Sequence, residues 1–386
     1  MEACLFKRSV LVLLGLMVTM VHGVAQVDDS AGFTQAQLQH VRSLGPWPPA
    51  WTADPANRVS GQPRAVELGR RLFRDPRMSP VGYIACVTCH QPDRAFTDRR
   101  ARAHGLADLP RNTPTLANLR QQRWYGWDGA SDSLWLASVR PMLDPREFDG
   151  NPTSITRIYE RDPDLAACYA AVFGAEPVRD AQETIVNTGK ALAAFQETMV
   201  TGRTAFDRYR DALLRNDAAA MADYPAPARR GLQLFVGPAG CVACHRGPNL
   251  SDGRFHAVLD PEAARFGDDQ GRVGGVERLR SHPMNLLGRF NDDPTRANAQ
   301  AVERLVVRDH MRDRFRTPSL RNVGVTAPYM HDGRHDRLVD ALDHGVPTGG
   351  ALGAGARDDL LAFLDTLTDE HGERRPWSTE PLAACP

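Results

Sequence analysis

The feature that most constrains this chain is a short motif that occurs twice. Residues 86–90 read CVTCH and residues 241–245 read CVACH. Two cysteines at this spacing can bond to the vinyl groups at one edge of a haem, and the adjacent histidine then supplies the proximal ligand of the iron. The sequence therefore predicts two covalently bound c-type haems. The residues assigned to them are Cys86, Cys89, His90, Cys241, Cys244 and His245.

Paired cysteines also occur in zinc sites and in redox-active disulfides. Two pairs that share one zinc ion usually lie about 15–20 residues apart, and the gap here is far larger. A single pair can form a redox disulfide. The histidine that directly follows both pairs favours haem over either alternative. Cys168 and Cys385 are left over, and each is expected to be a buried free thiol or part of one disulfide.

The N-terminus has the layout of a secretory signal peptide. Lys7 and Arg8 precede an apolar run over residues 10–21, and Gly23-Val-Ala25 is a plausible cleavage site. An uncleaved membrane anchor is the alternative, but the run is shorter than the roughly 20 residues of a spanning helix. We therefore expect a mature protein in the periplasm or outside the cell, with no membrane segment.

Charge and composition exclude several other classes of protein. Forty-seven basic residues balance 47 acidic ones, whereas a nucleic-acid-binding protein should carry a basic stripe. The 32 glycines and 28 prolines follow no period, which excludes a collagen-like chain. Seven cysteines are too few for a disulfide scaffold of 386 residues.

The two halves of the chain repeat the same landmarks in the same order. Each half has a Gly-x-x-x-Phe helix, the haem motif, a Thr-Pro segment, an Asp-Gly turn and a leucine. The first set is Gly69–Phe73, residues 113–118 (TPTLAN), residues 127–129 (WDG) and Leu134, and the second is Gly231–Phe235, residues 317–322 (TPSLRN), residues 331–333 (HDG) and Leu338. This order predicts duplication of one haem-sized unit.

Periodicity predicts a mainly α protein. Residues 181–200 and 204–214 have apolar positions at helical spacing, strand signals are sparse, and Asp-Pro turns are frequent. We predict two pseudo-repeated cytochrome c-like haem domains with long loops and haems near the domain interface. The predicted segments are a signal peptide (1–25), an N-terminal extension (26–60), a first haem domain with a helical connector (61–227) and a second haem domain (228–386).

Two single residues stand out less strongly. Trp127 belongs to an aromatic cluster that could be core packing or an electron relay, and the duplication places it where the other half has His331. Glu147 is an ordinary surface carboxylate unless it faces a haem pocket.

The longer motifs resemble those of the bacterial di-haem cytochrome c peroxidases and the related MauG-like enzymes. The resemblance covers nearly the whole mature chain. The stretches that carry it are residues 111–116 (RNTPTL), 127–129 (WDG), 316–322 (RTPSLRN) and 326–333 (TAPYMHDG), together with both haem motifs.

The resemblance implies that the N-terminal haem reacts with peroxide and that the C-terminal haem stores and relays electrons. It implies further that Glu147 moves protons during cleavage of the peroxide bond, that His104 caps the peroxidatic iron, and that Trp127 lies between the haems. Arg316 and His331 are expected beside the haems. A calcium ion at the junction of the two domains is expected to bind Asn112 and the carbonyls of Thr326 and Pro328.

This sequence departs from the family pattern at two positions. The sixth ligand of the second haem usually follows the histidine of His-Asp-Gly by fourteen residues, and that position is Gly345. Either the ligand is absent, or His344 replaces it, or the loop has a different register. Ala137 stands where the family's peroxidases have a glutamine.

Three functions follow as hypotheses. The first is a periplasmic peroxidase that reduces hydrogen peroxide with electrons from a small donor protein, a cytochrome c or a cupredoxin. The second is a MauG-like enzyme that oxidises an aromatic residue of a partner protein. The third is a non-enzymatic di-haem electron carrier, in which both irons would be six-coordinate and low-spin.

Overall fold

The computed structural model describes residues 27–28, 32–177, 179–257, 269–345 and 352–369. These residues form a mainly helical protein. The predicted signal peptide and Cys385 lie outside them. Within these ranges, the helices are too short or too polar to span a lipid bilayer. The α-helices are α1 Gln35–Ser43, α2 Pro63–Arg74, α3 Cys86–Cys89, α4 Leu134–Leu143, α5 Pro152–Glu160, α6 Pro163–Phe173, α7 Ala181–Gln196, α8 Ala205–Leu214, α9 Ala218–Met221, α10 Ala226–Phe235, α11 Arg272–Ser281, α12 Gln300–Glu303, α13 Leu338–Gly345 and α14 Ala354–Asp365.

The described residues also form short 3-10 helices and two small antiparallel pairs of strands. Strand β1 (Val27–Asp28) pairs with β2 (Phe33–Thr34), and β3 (Phe255–Ala257) pairs with β4 (Arg314–Arg316). The sparse strand signals of the sequence agree with this small strand content.

Several helices start where a polar side chain caps their free N–H groups. The Ser133 hydroxyl accepts a hydrogen bond from the Leu136 N–H at the start of α4 (3.2 Å). The Asp180 carboxylate accepts hydrogen bonds from two N–H groups in the first turn of α7. Such caps satisfy donors that have no partner within the helix.

The Gly-x-x-x-Phe segments mark two equivalent helix crossings. Gly69 of α2 lies against the backbone of α7, where an added Cβ would fall 2.0 Å from the Ala191 carbonyl oxygen. Gly231 of α10 lies in the same way against α14, with an added Cβ 1.9 Å from the Asp359 carbonyl oxygen. Only glycine permits either approach. Helix α7, which the sequence places in a connector, is therefore the counterpart of α14.

Aromatic rings pack beside both crossings. Phe73 meets Phe195 edge to face, with ring centroids 5.4 Å apart. Phe235 meets Phe363 with centroids 5.0 Å apart. The phenylalanine of each Gly-x-x-x-Phe segment thus contacts a phenylalanine of the partner helix.

The Thr-Pro segments also make equivalent hydrogen bonds. The Asn118 N–H donates to the Met199 carbonyl (2.7 Å), and the Asn322 N–H donates to the Leu367 carbonyl (3.0 Å). Each segment is thereby tied to the end of the second helix of its crossing. The duplication seen in the sequence is a duplication of three-dimensional contacts.

The two main hydrophobic cores exchange elements between the halves of the chain. The first core includes residues of α2, α4 and α7, but also residues between 279 and 302 from the C-terminal half. The second core includes residues of α10 and α14, but also residues of α1 and α8. The predicted segment bounds follow the sequence order, whereas the cores do not.

Cys168 lies in the first core and is disulfide-bonded, which excludes a free thiol at this position. Its partner is outside the described residues.

We predict that Gly231→Ala lowers the melting temperature of the holoprotein strongly, because the new Cβ collides with a backbone carbonyl. Overpacking of this kind costs about 1–3 kcal/mol. The matched control is Gly355→Ala in α14, where an added Cβ would meet no atom within 4 Å. This control should stabilise the protein by up to about 1 kcal/mol. Equal melting temperatures of the two variants, measured by circular dichroism, would contradict the packing.

Candidate functional site

The first haem motif forms α3, and its histidine is held by the backbone. His90 Nδ1 lies 3.1 Å from the Phe96 carbonyl oxygen. Because a carbonyl can only accept, Nδ1 carries the proton and Nε2 remains for a metal, the arrangement typical of metal-binding histidines. Burial lowers the pKa of His90, so the imidazole is neutral near pH 7 and able to bind iron.

The second motif repeats this geometry. His245 Nδ1 lies 3.1 Å from the Leu250 carbonyl oxygen, and burial again lowers the pKa of the imidazole. The four cysteines of the two motifs form no disulfide. Burial raises the pKa of the Cys86 thiol to about 12 and that of the Cys241 thiol to about 11. Both motifs therefore present two thiols and an Nε2 atom, the groups that hold a c-type haem.

Glu147 lies near the first motif. Its charge contributes to the raised pKa of both Cys86 and Cys89. Burial raises the pKa of Glu147 itself to about 7, with a smaller contribution in the same direction from Asp144. A carboxyl group that titrates near neutral pH can both donate and accept a proton there. Proton transfer by Glu147 stays a prediction.

His104 reaches the same region with its backbone but not with its ring. The Cys89 thiol donates to the His104 carbonyl (3.6 Å). The two N–H groups at 106 and 107 donate to the Arg146 carbonyl, which holds this loop beside Glu147. The imidazole is exposed and lies 2.6 Å from the Asp108 carboxylate. This contact uses Nδ1 and leaves Nε2 open, and capping of the iron by His104 stays a prediction.

Trp127 lies at the junction of the two halves, in a segment that we call the junction loop (residues 126–129). Its indole N–H donates to the Asn112 carbonyl (2.9 Å). Its own carbonyl accepts from the Arg316 N–H (2.8 Å), and the His331 carbonyl accepts from the Asn112 N–H (2.8 Å). Four residues proposed from the sequence are therefore brought together: Asn112, Trp127, Arg316 and His331.

Among the described residues, Arg316 has no carboxylate partner and His331 has a ring nitrogen without a hydrogen bond. Arg316 is buried, and the hydrogen bonds described for its guanidinium go to the carbonyls of Gly126 and Thr317. Burial lowers its pKa to about 10, so it remains charged at neutral pH. His331 stacks on Phe315, its buried Nδ1 has no hydrogen bond, and burial lowers its pKa to about 4. A buried cation and an open ring nitrogen fit a cofactor that carries carboxylates, as haem does.

A network of ion pairs across the junction was missed by the sequence analysis. Arg111 forms two hydrogen bonds to Asp269 and an ion pair with Asp128 (2.7 Å). Asp128 also pairs with Arg278. Although burial opposes it, Arg111 and Arg278 hold the pKa of Asp128 below its usual value. Arg111 lies inside a motif that carried the resemblance, but only the fold shows that Asp269 is its partner.

The calcium ligands are predicted to lie at the junction of the two halves. Among the described residues, no group of three or more histidine, cysteine, aspartate or glutamate side chains is placed to bind a metal ion. The predicted calcium ligands are of a different kind, since they are one side-chain amide and two backbone carbonyls. Asn112 lies at the junction as predicted, and the site with Thr326 and Pro328 remains a prediction.

The position at which the family has the sixth ligand of the second haem iron lies at the end of α13. Gly345 is the last residue of α13 and is exposed. The His344 side chain lies outside the described part of the chain, so ligation by His344 stays a prediction.

Comparison with known proteins places the chain among di-haem proteins. A family model described as di-haem cytochrome c peroxidase matches residues 63–214. The chain is 33% identical over 322 residues to the methylamine utilization protein MauG of Methylorubrum extorquens, with 80% of this chain and 79% of that protein covered. It is 29% identical to the cytochrome c551 peroxidase of Nitrosomonas europaea, with 79% and 80% covered.

Solved structures agree with this assignment. A MauG-like protein associated with microbial copper homeostasis superposes with a TM-score of 0.63 and 27% identity, covering 88% of this chain and all of that one. The di-haem peroxidase BthA of Burkholderia thailandensis has the same fold, with a TM-score of 0.64, 23% identity, and 83% of this chain and 90% of that one covered.

We predict that the double variant Cys86→Ala/Cys89→Ala loses one covalently bound haem and keeps the other, because each motif attaches its own haem. Haem staining of a denaturing gel and the intact mass would show the loss. The matched variant Cys241→Ala/Cys244→Ala should lose the other haem to the same extent. Full staining of either variant would refute the assignment.

Proposed function

The chain belongs to the di-haem cytochrome c peroxidase and MauG family, and on that premise we propose that it is a periplasmic enzyme that reduces hydrogen peroxide at the haem site of residues 86–90. Residues 241–245 would hold the second haem, which would supply the electrons. The chain is a haem oxidoreductase that acts on peroxide. The hypothesis of a non-enzymatic electron carrier is therefore rejected. The observation that carries the proposal is the position of the Glu147 carboxyl group: it lies close enough to the first haem motif to influence both cysteines, and burial raises its pKa to about 7.

The chain's own residues provide binding, orientation and protons. When bound, the two haems supply an iron that reacts with peroxide and a second iron that stores and passes electrons. His90 and His245 are positioned as ligands by their hydrogen bonds to backbone carbonyls. Glu147 gives its proton to the oxygen atom that leaves peroxide as water and is then reprotonated. The overall reaction consumes two protons and two electrons for each peroxide and forms two molecules of water.

Trp127 is proposed to connect the two sites. It bonds to Asn112 in the first half through its side chain and to Arg316 in the second half through its backbone. Indole loses an electron more easily than most side chains, so an oxidising equivalent can cross the junction through this ring. His104 is proposed either to assist Glu147 or to cap the iron in the resting state.

A MauG-like activity is the second candidate. The relative that is 33% identical carries the name MauG, and Gly345 stands where the family has a ligand. In that case, electrons would come from an aromatic residue of a partner protein rather than from a cytochrome c or a cupredoxin. Steady peroxide consumption with a reduced small donor protein supports the peroxidase. Its absence in a holoprotein that reacts with peroxide supports the MauG-like enzyme.

We predict that Glu147→Gln slows the reaction with peroxide by about 10²–10⁴-fold while both haems are retained, because glutamine cannot donate the proton. The wild-type rate should fall as the pH rises through about 7, since Glu147 loses its proton there. The variant should lose this dependence. Stopped-flow mixing with peroxide measures both effects.

The matched control for this variant is Glu197→Gln. Burial also raises the pKa of Glu197 to about 7, but this carboxyl bonds to Ser60. We expect the rate and its pH dependence to remain at the wild-type values in the control. Wild-type kinetics in Glu147→Gln would exclude Glu147 as the acid.

We predict that Trp127→Phe keeps both haem spectra but slows oxidation of the second haem after peroxide is added, because phenylalanine fills the space and is much harder to oxidise. Trp124→Phe is the matched control and should leave this oxidation unchanged. Rapid-scan absorption spectroscopy follows the second haem directly. Oxidation at the wild-type rate in Trp127→Phe would leave Trp127 as core packing.

A further inference from the structure

Arg272 occupies an unusual place beside the junction loop. It is buried at the start of α11, with its guanidinium 4.0 Å from the Phe255 ring centroid and 4.8 Å from the Trp124 ring centroid. The guanidinium donates to the carbonyls of Asp128 and Gly129, both at 2.8 Å. It is therefore fixed on one side by the loop that contains Trp127 and on the other by two aromatic rings.

The positive charge of Arg272 is not neutralised by a direct ion pair among the described residues. Its hydrogen bonds go to carbonyl groups, and the nearby Asp128 carboxylate is bound by Arg111 and Arg278. Burial lowers the pKa of Arg272 to about 10, which still leaves it protonated at neutral pH. A full positive charge thus lies against the Trp124 ring.

Trp124 and Trp127 are three residues apart but have different surroundings. Arg272 and Arg123 both lie over Trp124, the latter 5.7 Å from the ring centroid. Within the described ranges, the cation–π contacts do not include Trp127. A cation attracts the electron-rich face of a neutral indole. It repels the indole once an electron has been removed, so the two cations make oxidation of Trp124 harder.

Trp124 also borders a space that can hold water. Together with Tyr125, it lines a cavity of about 280 Å³ that includes the polar side chains of Arg120, Gln122 and Asp132. A polar cavity of this size has room for water. An oxidised indole at its wall can add water, whereas the Trp127 N–H is held by the Asn112 carbonyl inside the junction.

We propose that Arg272, aided by Arg123, keeps Trp124 reduced and so confines the oxidising equivalent to Trp127. The proposal rests on the proposed function, in which Trp127 connects the two haem sites. Arg272 thereby prevents a side reaction in which the oxidising equivalent damages Trp124 instead of passing through Trp127.

The side reaction that Arg272 suppresses is hydroxylation of Trp124. Tryptophan and water lose two electrons and two protons, and hydroxytryptophan forms with a new bond between ring carbon and oxygen. Hydrogen peroxide accepts the two electrons and two protons and becomes two molecules of water. The peptide that contains Trp124 therefore gains one oxygen atom, which mass spectrometry detects independently of turnover.

The test compares holoenzymes that receive the same number of peroxide equivalents without an electron donor. In Arg272→Gln, we expect the oxygen gain at Trp124 to rise about tenfold or more. The reason is that a unit charge this close to the ring, in a partly buried site, strongly repels the oxidised indole. Arg272→Lys, which keeps the charge, should stay within about twofold of wild type. Arg123→Gln, which removes an exposed cation, should show a rise of about threefold.

The outcomes separate this proposal from the function on which it rests. A wild-type holoenzyme that does not react with peroxide would overturn the proposed function. Wild-type levels of oxidised Trp124 in a folded, reactive Arg272→Gln would overturn only the insulating role. Equal oxidation in Arg272→Lys and Arg272→Gln would show that shape, not charge, protects the ring. If Arg272→Gln does not fold, an unchanged Arg123→Gln overturns the proposal and an increase supports it.

Discussion

Two backbone hydrogen bonds hold the centre of this molecule together. The Asn112 N–H donates to the His331 carbonyl and the Arg316 N–H donates to the Trp127 carbonyl, both at 2.8 Å. Positions 112 and 316 are equivalent in the duplication, and so are positions 127 and 331. The two bonds are thus related by the internal symmetry of the chain. In each half, the residue that directly precedes the Asp-Gly turn accepts a hydrogen bond from the other half. The ion pairs of the junction and both haem motifs are arranged around this contact.

The exchange of elements between the cores reinforces that contact. Arg321 makes two hydrogen bonds to Asp207 of α8 and one to the Pro248 carbonyl, and its guanidinium lies 3.6 Å from the Trp47 ring centroid. It joins α8 and the N-terminal segment to the loop after the second haem motif. In the other direction, Lys190 of α7 bonds to the Phe290 carbonyl and to Asp292. Neither half is complete without residues from the other, so the relative position of the two haem motifs is part of the fold itself.

The sequence predicts the parts of this structure that depend on local order. The repeated haem motifs, the Gly-x-x-x-Phe helices and the Asp-Gly turns are each contained within a few residues, and their order alone indicates the duplication. The pairing of α2 with α7 and of α10 with α14 depends on contacts across more than 100 residues, which no periodicity records. The roles of Glu147 and Asn112 followed from the resemblance, whereas the internal repeat already singled out Trp127 as the counterpart of His331. Nothing in the sequence around Arg272 shows that it reaches Trp124, because that contact is made by the fold.

The use of arginine instead of lysine explains how buried side chains at the junction keep their positive charge. All but two of the 47 basic residues are arginine, and the exceptions are Lys7 and Lys190. A guanidinium stays protonated even where burial lowers its pKa, and its planar donors can bind several carbonyls at once. Arg272 and Arg316 both use backbone carbonyls in this way, and within the described part of the chain no carboxylate forms an ion pair with either guanidinium. The junction therefore carries fixed positive charge. This charge favours the anionic groups of a cofactor. It also opposes the loss of an electron from Trp124, the indole that Arg272 contacts.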